Sequence, residues 1–294
     1  MSKKYSGSAA SLSNSVGKFL GCDATFDDAK IVLFGVPYDA TSTYRKGSRL
    51  APTAIRKESD GIETYSPYLD KDLQDIQIHD AGDILSLRGA KRRGNLDPAP
   101  MVYNVEAQTQ KILDAGKFPI MLGGEHLVTL GAVRAVAKKY PDLAIVHFDA
   151  HADLRDDWDG KKLNHSTVMR RCHDVIASEA KQSLPSIYQY GIRSGTREEF
   201  AFIKKHILKD LPKGRPVYFT IDLDVLDPSE FGGTGTPEAG GVTFLELLAK
   251  TKEVFSTLNV VGCDINELCP PYDHNGASTA LACKYLREVL LLIK

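Results

Sequence analysis

Short apolar runs alternate along this chain with stretches in which apolar residues recur every three or four positions. Ile31 to Val36, Phe118 to Leu122, Leu143 to Phe148, Ile187 to Gly191, Val217 to Ile221 and Val260 to Cys263 are apolar runs of strand length. Asp75 to His79 is a weaker one. Helical patterns separate them. Pro52 to Asp60 is opened by an early Pro, and Pro100 to Gly116 keeps Val105, Ile112 and Leu113 on one face. Leu127 to Tyr140, Arg197 to Leu208, Phe244 to Leu258 and Ala277 to Ile293 follow. Strands that are apolar throughout must be covered on both faces. The pattern therefore predicts an α/β fold, a three-layer α/β/α sandwich around a mostly parallel sheet of about eight strands. No long linker, repeat or low-complexity tract interrupts it. Residues 1–294 are expected to form one domain, with 1–25, rich in Ser and Gly, as an irregular N-terminal arm.

Composition narrows the function classes. The 294 residues are 43% hydrophobic and 26% charged, enough for a large core. The formal net charge of -1 supplies no field to attract nucleic acid or an anionic membrane. Lys91-Arg92-Arg93 reads as a solvated loop rather than a binding patch. Cys22, Cys172, Cys263, Cys269 and Cys283 are scattered, odd in number and lack CxxC spacing. That argues against a disulfide framework and a zinc knuckle, and suits a reducing compartment. The opening residues have no apolar core for a signal peptide, and no segment approaches the ~20 apolar residues that span a bilayer. A cytoplasmic protein is expected.

Active sites of parallel sheets form at the carboxyl ends of the strands, and four apolar runs end in polar residues that make no sense as core. Gly123-Gly124-Glu125-His126 follows FPIML. Asp149-Ala150-His151-Ala152-Asp153 follows AIVHF. Asp222-Leu223-Asp224 follows VYFTI, and Asp264-Ile265-Asn266-Glu267 follows VVGC. Asp149, His151 and Asp153 at i, i+2 and i+4 point to one side if the strand conformation persists. Carboxylates this close repel one another unless a cation neutralises them. With His126 the set is too large for one ion and suits two divalent ions sharing carboxylates. It is rich in oxygen, has one imidazole per ion and no thiolate, which favours manganese over zinc. His147, inside a strand, reads as a hydrogen-bonded core residue.

GGEH, DAHAD and IDLDVLDP followed by GTGTPEAGG together resemble the arginase/agmatinase ureohydrolase family. GVPYDATSTYRKGSRLAPTAIRK is similar to it as well, through Gly35, Asp39, Arg45, Gly47, Pro52 and Arg56. The resemblance runs from about Val32 to the C-terminus. It implies the arginase-like three-layer fold and two Mn2+ per subunit. His126, Asp149, Asp153 and Asp222 would hold one ion; Asp149, His151, Asp222 and Asp224 would hold the other. It implies hydrolysis of a small guanidino substrate to urea and an amine by a hydroxide that the two cations make available near neutral pH. Glu267 corresponds to the carboxylate that grips the guanidinium, and His165 to a proton shuttle. Asp264 is expected to support the ligands rather than join them. A homo-oligomer, trimer or hexamer, is also implied.

The substrate is less constrained. The loop Leu154-Arg155-Asp156-Asp157-Trp158-Asp159-Gly160 is acidic, and Asp156 in particular is expected to attract a distal amine such as that of agmatine, yielding putrescine. Arg155 would instead suit the carboxylate of guanidinobutyrate or formiminoglutamate, and arginine is a further alternative. Two other classes stand beside these: an inactive relic of a metal site acting as a binding protein, and a one-zinc deacetylase-like hydrolase. GGEH and the second Asp of DLD oppose the latter.

Overall fold

A computed structural model describes residues 12–13, 17–85, 91–92, 95–180 and 186–294. The strands are β1 Leu12–Ser13, β2 Ile31–Gly35, β3 Tyr65–Ser66, β4 Lys71–Asp72, β5 Ile78–Ile84, β6 Lys91–Arg92, β7 Asn95–Leu96, β8 Phe118–Leu122, β9 Ala144–Phe148, β10 Ile187–Tyr190, β11 Ile207–Leu208, β12 Pro216–Asp222 and β13 Asn259–Asn266. The α-helices are α1 Ala51–Glu58, α2 Ala99–Asp114, α3 Thr129–Lys139, α4 Val168–Glu179, α5 Arg197–His206, α6 Phe244–Thr257 and α7 Ala277–Leu292.

Nine strands form one sheet in the order β1-β5-β2-β8-β13-β12-β9-β10-β11. Every neighbouring pair is parallel except β1 with β5. Alternation along the strands sends side chains to two cores. Ile31, Leu33, Val217, Phe219 and Ile221 pack against Ile55 of α1, Leu247 and Val254 of α6 and Leu286 and Val289 of α7. Val32, Phe34, Ile145 and Tyr218 face Val102 and Val105 of α2, Leu130 and Val133 of α3 and Met169 and Cys172 of α4. This is the expected α/β/α sandwich, with nine strands rather than about eight because two-residue segments extend both edges.

Three local differences have physical causes. β5 continues to Ile84 through two acids, because Asp80 is buried in a two-pronged ion pair with Arg56 (2.8 and 2.9 Å) and Asp83 shares the third guanidinium nitrogen at 2.5 Å. Helix α4 forms where the sequence offered no strong pattern; Val168, Met169, Cys172 and Ile176 are its buried face. Within the expected arm, Leu12–Ser13 pair with β5, and Phe19 and Cys22 lie in the core; residues 1–11 and 14–16 lie outside the described residues. Lys91–Arg92 pair with Asn95–Leu96 as a small hairpin, while Arg93 and Gly94 also lie outside the described residues. All five cysteines are free and buried, and no helix among the described residues is long and apolar enough to cross a membrane.

Candidate active site

The site follows from strand register. Ile265 stands opposite Leu122, Asp222 opposite Asn266, and Phe148 opposite Ile221. The carboxyl ends of β8, β13, β12 and β9 therefore finish level, in a row. The two glycines after β8 are required by space. A Cβ on Gly123 would meet Asn266 Oδ1 at 1.8 Å, and one on Gly124 would meet the Tyr38 carbonyl at 2.1 Å. Glu267 leaves β13 with φ of 66° and donates its backbone N–H to Gly124 O at 2.9 Å, tying the two strand ends together. Asp222 ends β12 and caps the following turn, accepting from Asp224 N at 2.8 Å.

The six expected ligands come together. His126 Nδ1 lies 3.1 Å from Asp149 Oδ2, 3.5 Å from Asp153 Oδ2 and 3.6 Å from Asp222 Oδ2. His151 Nδ1 lies 3.0 Å from Asp224 Oδ2 and 3.5 Å from Asp149 Oδ1. Hydrogen bonds behind the cluster orient it. Thr220 Oγ1 donates to Asp264 Oδ1 at 2.6 Å, so it accepts from His126 Nε2–H at 2.8 Å and leaves His126 Nδ1 as a lone pair facing the acids. Asp264 also accepts from Tyr218 OH and Thr129 Oγ1. Gln189 donates to His147 Nδ1 at 2.9 Å and to Ala152 O, so His147 Nε2–H donates to Asp149 Oδ2 at 2.8 Å. His147 stands close enough to be grouped with His126 and Asp149 as a metal donor. Both its ring nitrogens are engaged, so it is a support for Asp149.

Charge crowding marks the site. Burial, and then the neighbouring acid, pushes the carboxyls of Asp153, Asp222 and Glu267 well above their usual range. Burial also pushes Asp149 up, but His147 first, and the His151 contact with it, outweigh that and hold the carboxyl well below. His151 is lowered by burial and raised further by Asp224 and Asp149, to about 12. Donors about 2.1 Å from a shared small divalent ion stand roughly 3 Å apart, close to the spacings seen here. Asp149 with His151 and Asp224 forms one compact donor group, and Asp149 also stands beside His126 Nδ1. The donor chemistry, carboxylate and imidazole without thiolate, fits hard divalent cations.

A cavity of about 250 Å³ opens over the cluster, with His151, Asp153, Asp222, His165, Arg155 and Glu199 in its wall. His165 reaches the wall from a 3-10 turn capped by Asn164. Burial first, then the positive fields of His151 and His126, lowers its imidazole to about 4. Glu267 lies one contact further in, with Oε1 3.9 Å from His165 Nδ1 and accepting from His126 N at 2.9 Å. Asp156 does not reach this cavity. Arg171 of α4 holds it at 2.8 Å on the outer surface, so the expected attraction of an amine by Asp156 is corrected. Asp157 likewise lines a neighbouring surface pocket. Arg155 does face the cavity, stacked over Trp158 at 4.9 Å and 3.7 Å from Glu199 Oε2. Glu199 was missed as a wall residue because it comes from a segment with no motif of its own, and Thr43 and Trp158 lie in stretches that were singled out without either residue being given a role.

These features define an α/β protein whose sheet end gathers carboxylates and imidazoles that could hold divalent cations beneath a small polar cavity. The comparisons specify it further. The Arginase family model matches residues 29–210 and 203–292. The chain is 46% identical to the agmatinase of Bacillus anthracis over 288 residues, covering 93% of this chain and 95% of that protein, and equally to the agmatinase of Bacillus subtilis (strain 168). The crystal structure of the agmatine ureohydrolase of Thermoplasma volcanium superposes with a TM-score of 0.78 at 32% identity, covering 94% of this chain and 93% of that one. The chain belongs to the arginase family and is a ureohydrolase.

Proposed function

We propose that the protein hydrolyses agmatine to putrescine and urea, as one domain over residues 1–294 holding two Mn2+ ions. His126, Asp149, Asp153 and Asp222 would hold one ion, and Asp149, His151, Asp222 and Asp224 the other. When bound, the pair would supply Lewis-acid activation of water as a nucleophile for the guanidinium carbon. The chain's own residues do the rest. Glu267 binds the planar guanidinium through its carboxylate, whose charge is most stable when a cation stands beside it. His165, 3.9 Å away, relays a proton to the amine nitrogen: Nδ1–H is given up as the bond to carbon breaks, while Nε2 takes a proton from solvent through the Thr43 hydroxyl 2.9 Å away.

The choice of agmatine rests on one observation. In the cavity wall the guanidinium of Arg155 lies 3.7 Å from Glu199 Oε2, so it is paired rather than free to anchor a carboxylate-bearing tail. The likeness to curated agmatinases supports the same substrate. Urea release by the manganese-loaded protein, measured for agmatine, arginine, guanidinobutyrate and formiminoglutamate, tests it. Agmatine should have the highest kcat/KM; guanidinobutyrate as best substrate would make Arg155 a carboxylate anchor and refute the proposal. A cytoplasmic location is supported by five free, buried thiols. A trimer or hexamer is testable by light scattering.

A further inference from the structure

The residue before His126 has no place in the chemistry described so far, yet it is fully buried. Glu125 is 0% exposed. Its carboxylate is occupied by one short segment of the loop after β2: Thr41 N donates to Oε2 at 2.8 Å, Ser42 Oγ donates to Oε2 at 3.0 Å, and Thr41 Oγ1 donates to Oε1 in a very short bond. Thr41 in turn holds the His165 turn. Its Oγ1 accepts from His165 N at 3.1 Å, and its carbonyl accepts from Asn164 Nδ2 at 2.8 Å. Two residues on, the Thr43 amide donates to His165 Nε2 at 3.2 Å, with Thr43 Oγ1 2.9 Å from the same nitrogen.

A backbone N–H can only donate. His165 Nε2 must therefore be the unprotonated nitrogen, and the ring proton sits on Nδ1, the nitrogen that faces Glu267 at 3.9 Å. A ring rotated by half a turn, or the other tautomer, would present a lone pair where a proton is needed.

We propose that Glu125 is a positioning residue: by clamping Thr41 and Ser42 it sets the Thr43 amide against His165 Nε2, and so fixes His165 as the Nδ1–H tautomer directed into the site. This rests on the reading of His165 as proton donor. The Glu125 carboxylate hydrogen-bonds to Thr41 and Ser42 and reaches His165 through them, while its charge is also felt at Glu267.

A double-mutant cycle tests it, with kcat, KM for agmatine, metal content and thermal midpoint measured on the same manganese-loaded preparations. Glu125→Ala should lower kcat by ~10- to 100-fold, the size expected when a catalytic group is misplaced by about an ångström, while KM changes by less than ~3-fold and both metals stay bound. His165→Ala should lower kcat by ~10²-fold. The double variant should be no slower than His165→Ala alone, within ~3-fold, because the clamp has nothing left to position. If Glu125→Ala does not fold, Glu125→Gln carries the same cycle with a smaller effect, since the amide keeps the shape and one acceptor oxygen. Multiplying losses in the double variant, or loss of metal from either Glu125 variant, would overturn the inference while leaving His165 as proton donor. Unaltered turnover in His165→Ala would overturn both.

Discussion

Replacing Glu267 by glutamine removes a charge and little else. The carboxylate Oε1 accepts from the His126 amide at 2.9 Å, and the backbone N–H of Glu267 donates to Gly124 O at 2.9 Å. Glutamine keeps a carbonyl oxygen for the first bond and leaves the second untouched. The backbone φ of 66° burdens both side chains equally. The strand ends should therefore hold, with both metals at wild-type stoichiometry and a Tm moved by no more than about 4 °C. The guanidinium loses its anionic partner. A hydrogen bond to a charged group contributes ~1.5–3 kcal/mol, so kcat/KM for agmatine should fall by about 10- to 150-fold. Urea release and metal analysis on one preparation make the comparison. Glu267→Ala is the contrast: it strips both oxygens, orphans a buried amide at a cost of ~1–3 kcal/mol, and should lower Tm where glutamine does not. A missing metal in Glu267→Gln would make the residue a ligand. Unchanged kinetics with full metal would make it a bystander, and the account of guanidinium binding would be wrong.

Asp222→Ala should reduce occupancy of both metal positions and abolish urea release; full occupancy by elemental analysis would refute its assignment to both. Asp156→Asn should change kcat/KM for agmatine by less than ~2-fold, because Arg171 holds that side chain outside the cavity; a tenfold loss would restore it as a substrate contact. Stripping the metals should make stability depend on pH. The folded state holds His151 at about 12, so between about pH 7 and pH 9 it keeps a proton that the unfolded chain has largely released. The stabilising contribution of His151 is complete below its unfolded pKa and is lost as pH rises towards 12. The Tm of chelator-treated protein should therefore fall across that window, and a rise would contradict the charge arrangement.

The sheet was legible because its central strands are apolar on both faces, and the gathering of acids and histidines was legible because each group of acids directly follows such a strand. The misses share a cause. Asp80 and Asp83 broke the apolar pattern of β5, since only a partner 24 and 27 positions away, Arg56, makes acids tolerable in a strand. Helix α4 hides a four-residue apolar face among Arg170, Arg171, His173 and Asp174, and its absence from the sequence reading misdirected the substrate argument. Arg171 on that helix is what turns Asp156 away from the cavity. Glu125 sits within a recognised motif, yet its bonds to Thr41 and Ser42 span 84 and 83 positions and leave no local trace.

Strand order imposes a schedule on synthesis. β13 is the last strand in the chain, yet it lies between β8 and β12 in the middle of the sheet. Until residue 266 has emerged from the ribosome, β8 and β12 cannot have their final neighbour, and the nascent chain carries two half-sheets with open, apolar edges. The cluster at the strand ends has the same timetable, because Glu267 and the support from Asp264 arrive with that strand. A ribosome stalled before it would release a product whose two apolar sheet edges are open to edge-to-edge association.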